Sequence, residues 1–156
     1  MGDRIVYRDM QAGEEGEVSD LIARVFEEFI APGYTEEGRQ EFLRYARAGA
    51  LLERMQAGNA TLVACAGSQI VGVLQARDGS HISMLFVEKA FQGRGISRAL
   101  LSRAIALARK ANPDVAQMTL NSSPYALPIY EKLGFRATTA EQIQNGIRFT
   151  PMALDL

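Results

Sequence analysis

A chain of 156 residues, 47% hydrophobic and 22% charged, is long enough to form one domain around a single sizeable core. Its formal net charge of −1 gives no electrostatic footprint for nucleic acid or an anionic membrane, and no run approaches the roughly 18 apolar residues of a membrane span. The opening "MGDRIVYRDM" lacks the apolar stretch of a signal peptide, and Cys65, the sole cysteine, allows no internal disulfide; the expected location is the cytoplasm.

"RIVYRDM" predicts a first strand. From Glu14 to Phe29, the residues Val18, Leu21, Ile22, Val25, Phe26 and Phe29 recur at three- and four-residue spacing, the mark of one continuous helix face. "APGYT" breaks that helix, and Thr35 is placed to cap a second one through Tyr45, with Phe42 and Leu43 inward. Leu51, Leu52 and Met55 suggest a short further turn or helix before Gly58-Asn59. The period then changes. "ATLVACA", "QIVGVLQAR" and "HISMLFV" read as three strands joined by Gly67-Ser68 and Asp78-Gly79, dipeptides that supply the positive φ of tight turns. Strand alternation sends His81, Ser83 and Leu85 to one face and Ile82 and Met84 to the other.

After "QGRG" a helix aligns Ile96, Leu100, Ala104 and Leu107, followed by a strand "VAQMTL" and a short helix ending in "YEKLGF". A strand starts at Phe135, and Asn145-Gly146 turns into a final strand, "IRFTPMALDL". Pro151 there removes a ladder donor, which predicts an edge strand or a bulge; an edge would leave room for a homodimer. The order β-α-α-β-β-β-α-β-α-β-β describes a mixed α/β layer in one domain, 1–156, without repeats or linkers.

The stretch with most chemistry in it is "VEKAFQGRGISRALL". A helix N-terminus leaves about four N–H groups without intrahelical partners, and glycines let an anion approach them closely. "QGRGIS" therefore suits phosphate oxygens, with Arg94 as a source of added charge or a solvated side chain. It is not a Walker loop, because Gly95 is followed by Ile96 and Ser97, and it is not a dinucleotide fingerprint, because Arg98 stands at the third glycine. From these six residues alone, a helix start packed tightly by glycine explains the pattern equally well.

The surroundings add a resemblance. Gln92-Gly93-Arg94-Gly95-Ile96-Ser97, preceded by "LFVEKAF", and "LNSSPYALPIYEKLGF" further on are similar to the two motifs of the GNAT superfamily of N-acetyltransferases, in order and along essentially the whole chain. Ser97 stands where that pattern has Gly or Ala. The resemblance implies a mixed, mostly antiparallel α/β sheet with helices on both faces, splayed at a central parallel strand pair, and acetyl-CoA as cofactor. It implies that Gln92, Gly93, Arg94, Gly95, Ile96, Ser97 and Arg98 hold the pyrophosphate. Leu85, Phe86 and Val87 would offer main-chain bonds to the pantetheine arm, and Asn121 would touch it. An N–H near Val87 would face the acetyl carbonyl, and Tyr130 would be the acid toward the leaving thiolate.

An attacking amine must lose a proton. Histone-modifying members of the superfamily carry a glutamate where this chain has His81, its only histidine, eleven residues before Gln92. With an ordinary pKa of about 6.5, His81 is a chemically sensible base, or else a bland residue at a hairpin edge. Glu27, Glu28, Tyr34 and the loop from Thr138 to Asn145 are further candidates around the acceptor. Cys65 is not expected to be an acyl carrier, since nothing near it in sequence would depress its pKa. The expected activity is direct acetyl transfer to an amine, a small molecule before a protein N-terminus or lysine. The rivals are a non-catalytic acyl-CoA sensor, which would bind CoA without turnover, and a plain packing domain, which would not bind it. No metal is expected.

Overall fold

The three strands read without a break in the sequence form the centre of the sheet in the computed structural model, which describes residues 4–156. Met1, Gly2 and Asp3, part of the opening read above for a leader, lie outside the described residues. The strands are β2 (Ala60–Ala66), β3 (Gln69–Arg77) and β4 (His81–Val87), with the boundaries that the turn residues predict. Gly67 (φ 59°), Asp78 (54°) and Gly79 (79°) all take the left-handed conformation those turns need.

β1 (Ile5–Asp9) pairs with β2 at one edge. On the other side, β4 is followed in the sheet by β5 (Gln117–Ser122) and then β8 (Ile147–Asp155). The outer side of β8 is shared by two short strands, β6 (Arg136–Ala137) and β7 (Gln142–Gln144). Every pairing is antiparallel except β4 with β5, which holds only two register pairs, His81 with Thr119 and Ile82 with Leu120. Beyond them β4 runs on to Val87 and β5 to Ser122 with no further pairing, so the sheet splays there.

Helices cover both faces. α1 (Glu15–Val25), α2 (Glu36–Tyr45) and α3 (Ala48–Gln56) pack Val18, Leu21, Ile22 and Leu51 against Val63, Val73, Met84 and Phe86. α4 (Ile96–Ala111) and α5 (Leu127–Lys132) lie on the opposite face, where Ile96, Leu100 and Ala104 meet Leu74, Ile82, Met118 and Leu120. Each fully buried side chain of this size contributes about 1.5–3 kcal/mol. Thr35 caps α2 as expected, its Oγ1 accepting from the Gly38 N–H at 3.1 Å.

The structure corrects five expectations. The first helix does not continue to Phe29; it ends at Val25 and passes into a π turn, Phe26–Ile30, which leaves Phe29 half-buried at the margin of the core. The alternation of β4 is broken at Ser83, because Gln75 pairs with Met84 and Ala76 with Ile82. Ile82 therefore packs under α4, while Met84 faces α1. Leu107 is 40% exposed, since the buried stripe of α4 drifts to Leu101 and Ala108. β5 begins at Gln117, because the Val115 N–H is spent in a turn on the Asn112 carbonyl at 3.0 Å. Finally, Pro151 is not on an edge strand: β8 has β5 on one side and β6 and β7 on the other, so no free edge there awaits a second copy. Pro151 falls between the outer segments, beyond the β7 pairs that end at Phe149 and before the β6 pairs that begin at Met152, and its carbonyl accepts from the Thr138 N–H.

Candidate active site

The glycine turn is built where β4 hands over to α4. After Val87 the chain makes a short turn at Lys89–Phe91, and Gln92 reaches back to donate from Nε2 to the Val87 carbonyl at 3.0 Å. Gly93 (φ 79°) and Gly95 (φ 80°) are both left-handed, a conformation that costs an L side chain about 1–2 kcal/mol. Gly95 is the residue before α4, with no side chain capping that end and no acidic residue in its first turn. The first intrahelical bond runs from the Ala99 N–H to the Gly95 carbonyl, so the N–H groups of Ile96, Ser97 and Arg98 have no intrahelical acceptor. The helix dipole makes this end electropositive.

α4 can sit this close to the sheet because of Gly72. A Cβ there would stand 3.1 Å from Ile96 Cγ2 and 3.4 Å from Leu100 Cδ1. Gly72 is also the register partner of Val87, so the contact that seats the helix lies beside the strand end.

The turn opens into a cavity of about 450 Å³ in the splay between β4 and α5. Leu85, Phe86, Val87, Gln92, Gly93, Gly95, Ile96, Ser97 and Arg98 line it, together with Tyr130. The Glu88 N–H bonds the Val71 carbonyl at 2.8 Å, which fixes the alternation of the antiparallel ladder: Phe86 points its main-chain groups at β3, and Leu85 and Val87 point theirs toward the splay. Of the three strand residues that line the cavity, two thus present main-chain groups to it, while Phe86 turns its own toward β3.

Tyr130 is half-buried on α5, its ring 5.8 Å from that of Phe135 in an edge-on contact. Burial pushes its hydroxyl above the ordinary tyrosine value, so the phenol stays protonated at neutral pH. Beside the glycine turn, Arg98 donates to the Lys132 carbonyl at 3.3 Å, and both residues line the cavity.

Part of the wall escapes sequence reasoning. Val25 from the end of α1, Ile30 from the π turn, and Tyr125, Ile129 and Leu133 from the α5 region complete it with apolar surface. Phe29, half-buried at the margin of the core, stacks on Tyr125 at 5.0 Å. Tyr125 (38% exposed) and Ile129 (41%) are large apolar residues left open to solvent, the one signal that could have marked them, and it is not readable without the fold. Ion pairs of Arg24 with Glu88 at 2.6 Å and Lys89 with Glu28 at 2.9 Å tie α1 and the π turn to the loop after β4.

Three expected residues lie elsewhere. The Arg94 side chain folds over the Phe91 ring, 4.8 Å from its centroid, and does not line the cavity. Asn121 opens into a second cavity, of about 330 Å³, enclosed by α2, Ser83 of β4 and the β7–β8 hairpin. His81 lines neither cavity. It sits at the closed end of the parallel pair, half-buried, with Nδ1 2.8 Å from Thr119 Oγ1, and burial, then Arg77, holds its pKa below the ordinary value.

Of the other candidates, Glu27 is paired with Arg39 at 2.8 Å and Glu28 with Lys89, whereas Tyr34 and, from the predicted loop, Gln144 and Asn145 line the second cavity. Cys65 is buried, and burial pushes its thiol up, away from nucleophilic character. Among the described residues, no helix is long and apolar enough to cross a membrane, and no group of three His, Cys, Asp or Glu is placed to hold a metal.

The family model for the acetyltransferase (GNAT) domain matches residues 30–156. Among solved structures, the fold is similar to that of a GCN5-related N-acetyltransferase from Rhodopseudomonas palustris: TM-score 0.83, 22% identity, covering 100% of this chain and 99% of that one. It is also similar to the PaiA N-acetyltransferase of Thermoplasma acidophilum in complex with coenzyme A, with TM-score 0.79, 18% identity and coverage of 98% and 99%. An aminoglycoside 6'-N-acetyltransferase complexed with coenzyme A matches with TM-score 0.68 and 14% identity over 96% of each chain. At these identities the likeness concerns the fold.

Proposed function

The chain belongs to the GNAT acetyltransferase family, and on that premise we propose that it moves the acetyl group of acetyl-CoA directly to a small primary amine in a ternary complex. One arrangement carries the reading: the uncapped N-terminus of α4, the unpaired side of β4 and Tyr130 all line the same cavity.

The residues present fit the cofactor. The N–H groups of Ile96, Ser97 and Arg98 hold the diphosphate, the left-handed Gly93 and Gly95 let it approach, and Arg98 and Lys132 add positive charge. The main-chain groups of Leu85 and Val87 bond the pantetheine arm as an added strand would, and the apolar wall of Ile129 and Leu133 covers it. Bound acetyl-CoA supplies a thioester carbonyl activated for attack.

A β4 main-chain N–H in the splay would stabilise negative charge on a thioester oxygen held there, an effect commonly worth about 10²–10³-fold per donor. Because the donor is backbone, Val87→Ile leaves the rate nearly unchanged. Tyr130 donates a hydrogen bond to the sulfur. Its hydroxyl, raised by burial, is a weaker acid than a thiol of pKa about 8.5, so it stabilises a developing thiolate before any proton crosses. The amine's proton leaves to water at the open mouth, and His81 is assigned no proton-transfer step. It clasps the closed end of the parallel pair through Thr119.

Thiol release from acetyl-CoA across a panel of amines tests this reading. It expects amine-dependent turnover, and saturable CoA binding without turnover on any amine would overturn it in favour of a sensor.

A further inference from the structure

The second cavity carries information about the acceptor. It lies on the α2 face of the sheet, at the edge of the β4–β5 splay, with Ser83 and Asn121 contributed by those two strands. Phe42 on its wall is 5.8 Å, ring to ring, from Phe86, which lines the cofactor cavity. The two cavities therefore adjoin across one aromatic contact.

Its enclosure is built by the fold. The N-terminus of α2 rests on the tip of the β7–β8 hairpin, where the Thr35 N–H and Oγ1 both donate to the Gly146 carbonyl, at 3.4 and 3.3 Å. A Cβ at Gly38 would collide with that same carbonyl. Only a glycine lets helix and hairpin close to this distance.

The lining has a marked chemistry. Tyr34, Phe42, Tyr45 and Phe149 supply four rings. Tyr45 is held in place by Arg54, whose guanidinium stacks 3.8 Å from the ring centroid and donates to the Tyr45 carbonyl at 2.7 Å, while its Nε bonds the buried Gln75. Among the described residues, the only full charge in the lining is Glu41, at the rim, paired with Arg44 at 2.8 Å. Among the described residues, no Lys, Arg or His lines the cavity. A carboxylate or phosphate placed against this lining would find no cation among the described residues and would meet the Glu41 carboxylate, which disfavours it. An aromatic ring would find four partners of its own kind, and a cationic amine is drawn by the rings and the rim carboxylate. At about 330 Å³ the space is at the small end of ligand cavities.

We propose that this cavity is the acceptor site and that it selects a small arylalkylamine, a primary amine on an aromatic body without an acidic group. The inference rests on the acetyltransferase reading and specifies its acceptor. The ring enters among Tyr34, Phe42, Tyr45 and Phe149, and the amine points past Ser83 toward the splay. The neutral amine nitrogen forms the new C–N bond, the C–S bond breaks with its electron pair leaving on sulfur, and the ammonium proton goes to water.

The test uses 2-phenylethylamine, phenylalanine and spermidine, measured by calorimetry on the free and CoA-saturated protein and by thiol release with acetyl-CoA. The expected result is that 2-phenylethylamine binds and has kcat/KM at least tenfold above both others. Gln144→Lys, at an exposed hairpin position lining the cavity, is expected to narrow the gap to phenylalanine several-fold, and Phe149→Ala to raise KM for 2-phenylethylamine about tenfold with CoA affinity unchanged. Equal or better use of phenylalanine or spermidine, or no binding of 2-phenylethylamine while CoA binds normally, overturns the acceptor class and leaves the acetyltransferase reading standing. Failure of CoA to bind removes that reading instead, and the titration of free protein still decides the cavity's preference.

Discussion

Replacing Gly95 by alanine separates the phosphate role of the turn from its role in the fold. An added Cβ at Gly95 meets no atom within 4 Å, so the substitution costs no packing; the cost is backbone alone, since φ is 80°. Holding an L residue in that conformation costs about 1–2 kcal/mol. For a domain of this size, that lowers Tm by about 2–8 °C. Gly58 provides the matched control: its φ is 103°, a Cβ there also meets nothing within 4 Å, and it lies after α3, outside the cofactor cavity.

Both alanine variants are therefore expected to lose similar stability. Only Gly95→Ala also brings a methyl group to the donors assigned to the diphosphate, and it should weaken CoA binding at least tenfold in calorimetry. The parent protein at 100 times the dissociation constant should gain about 2.7 kcal/mol from CoA, and Gly58→Ala should keep that gain. Equal CoA affinity in Gly95→Ala and Gly58→Ala would refute the assignment of phosphate to this turn.

Tyr130→Phe should lower kcat about 10²-fold with CoA affinity within twofold; unchanged turnover would remove Tyr130 from the reaction. Because no protein base is assigned, kcat/KM should climb with pH toward the acceptor's own pKa of about 10, and a plateau above a pKa between 5 and 8 would point to a side-chain base such as His81. The depressed pKa of His81 means that the unfolded chain binds its proton first as pH falls. Its stabilising contribution is present above about pH 6.5 and lost on acidification below it, so His81→Gln should show a flatter fall of Tm in that window while keeping its turnover; a rate loss of 10²-fold would contradict the clasp. Gly38→Ala should push the hairpin from α2 and raise KM for the amine with little change in CoA affinity, and the reverse pattern would disconnect the second cavity from the acceptor.

What the sequence discloses follows how local the determinants are. β2, β3 and β4 were legible because their apolar runs and the glycine-bearing turns between them are set within a few residues, and Thr35 capped α2 for the same reason. The glycine turn was legible from its spacing, and nine of the eleven residues expected at a cofactor line one cavity beside it. What was lost depends on register and tertiary choice. One extra residue at Ser83 turned Met84 to the other face, which no alternation count detects. The π turn set Phe29 at the margin of the core against Tyr125, and the outer strands β6 and β7 turned Pro151 from an edge residue into one between two segments. His81 matched a motif position, yet its side chain is spent on Thr119.

Amide chemical shifts during a titration with coenzyme A test the central claim most directly. The N–H groups of Ile96, Ser97 and Arg98 should move furthest, with those of Leu85 and Val87 next, as donors without intrahelical or ladder partners take up the ligand. Saturation by coenzyme A with those five amides unmoved, and the largest shifts elsewhere, would contradict the account.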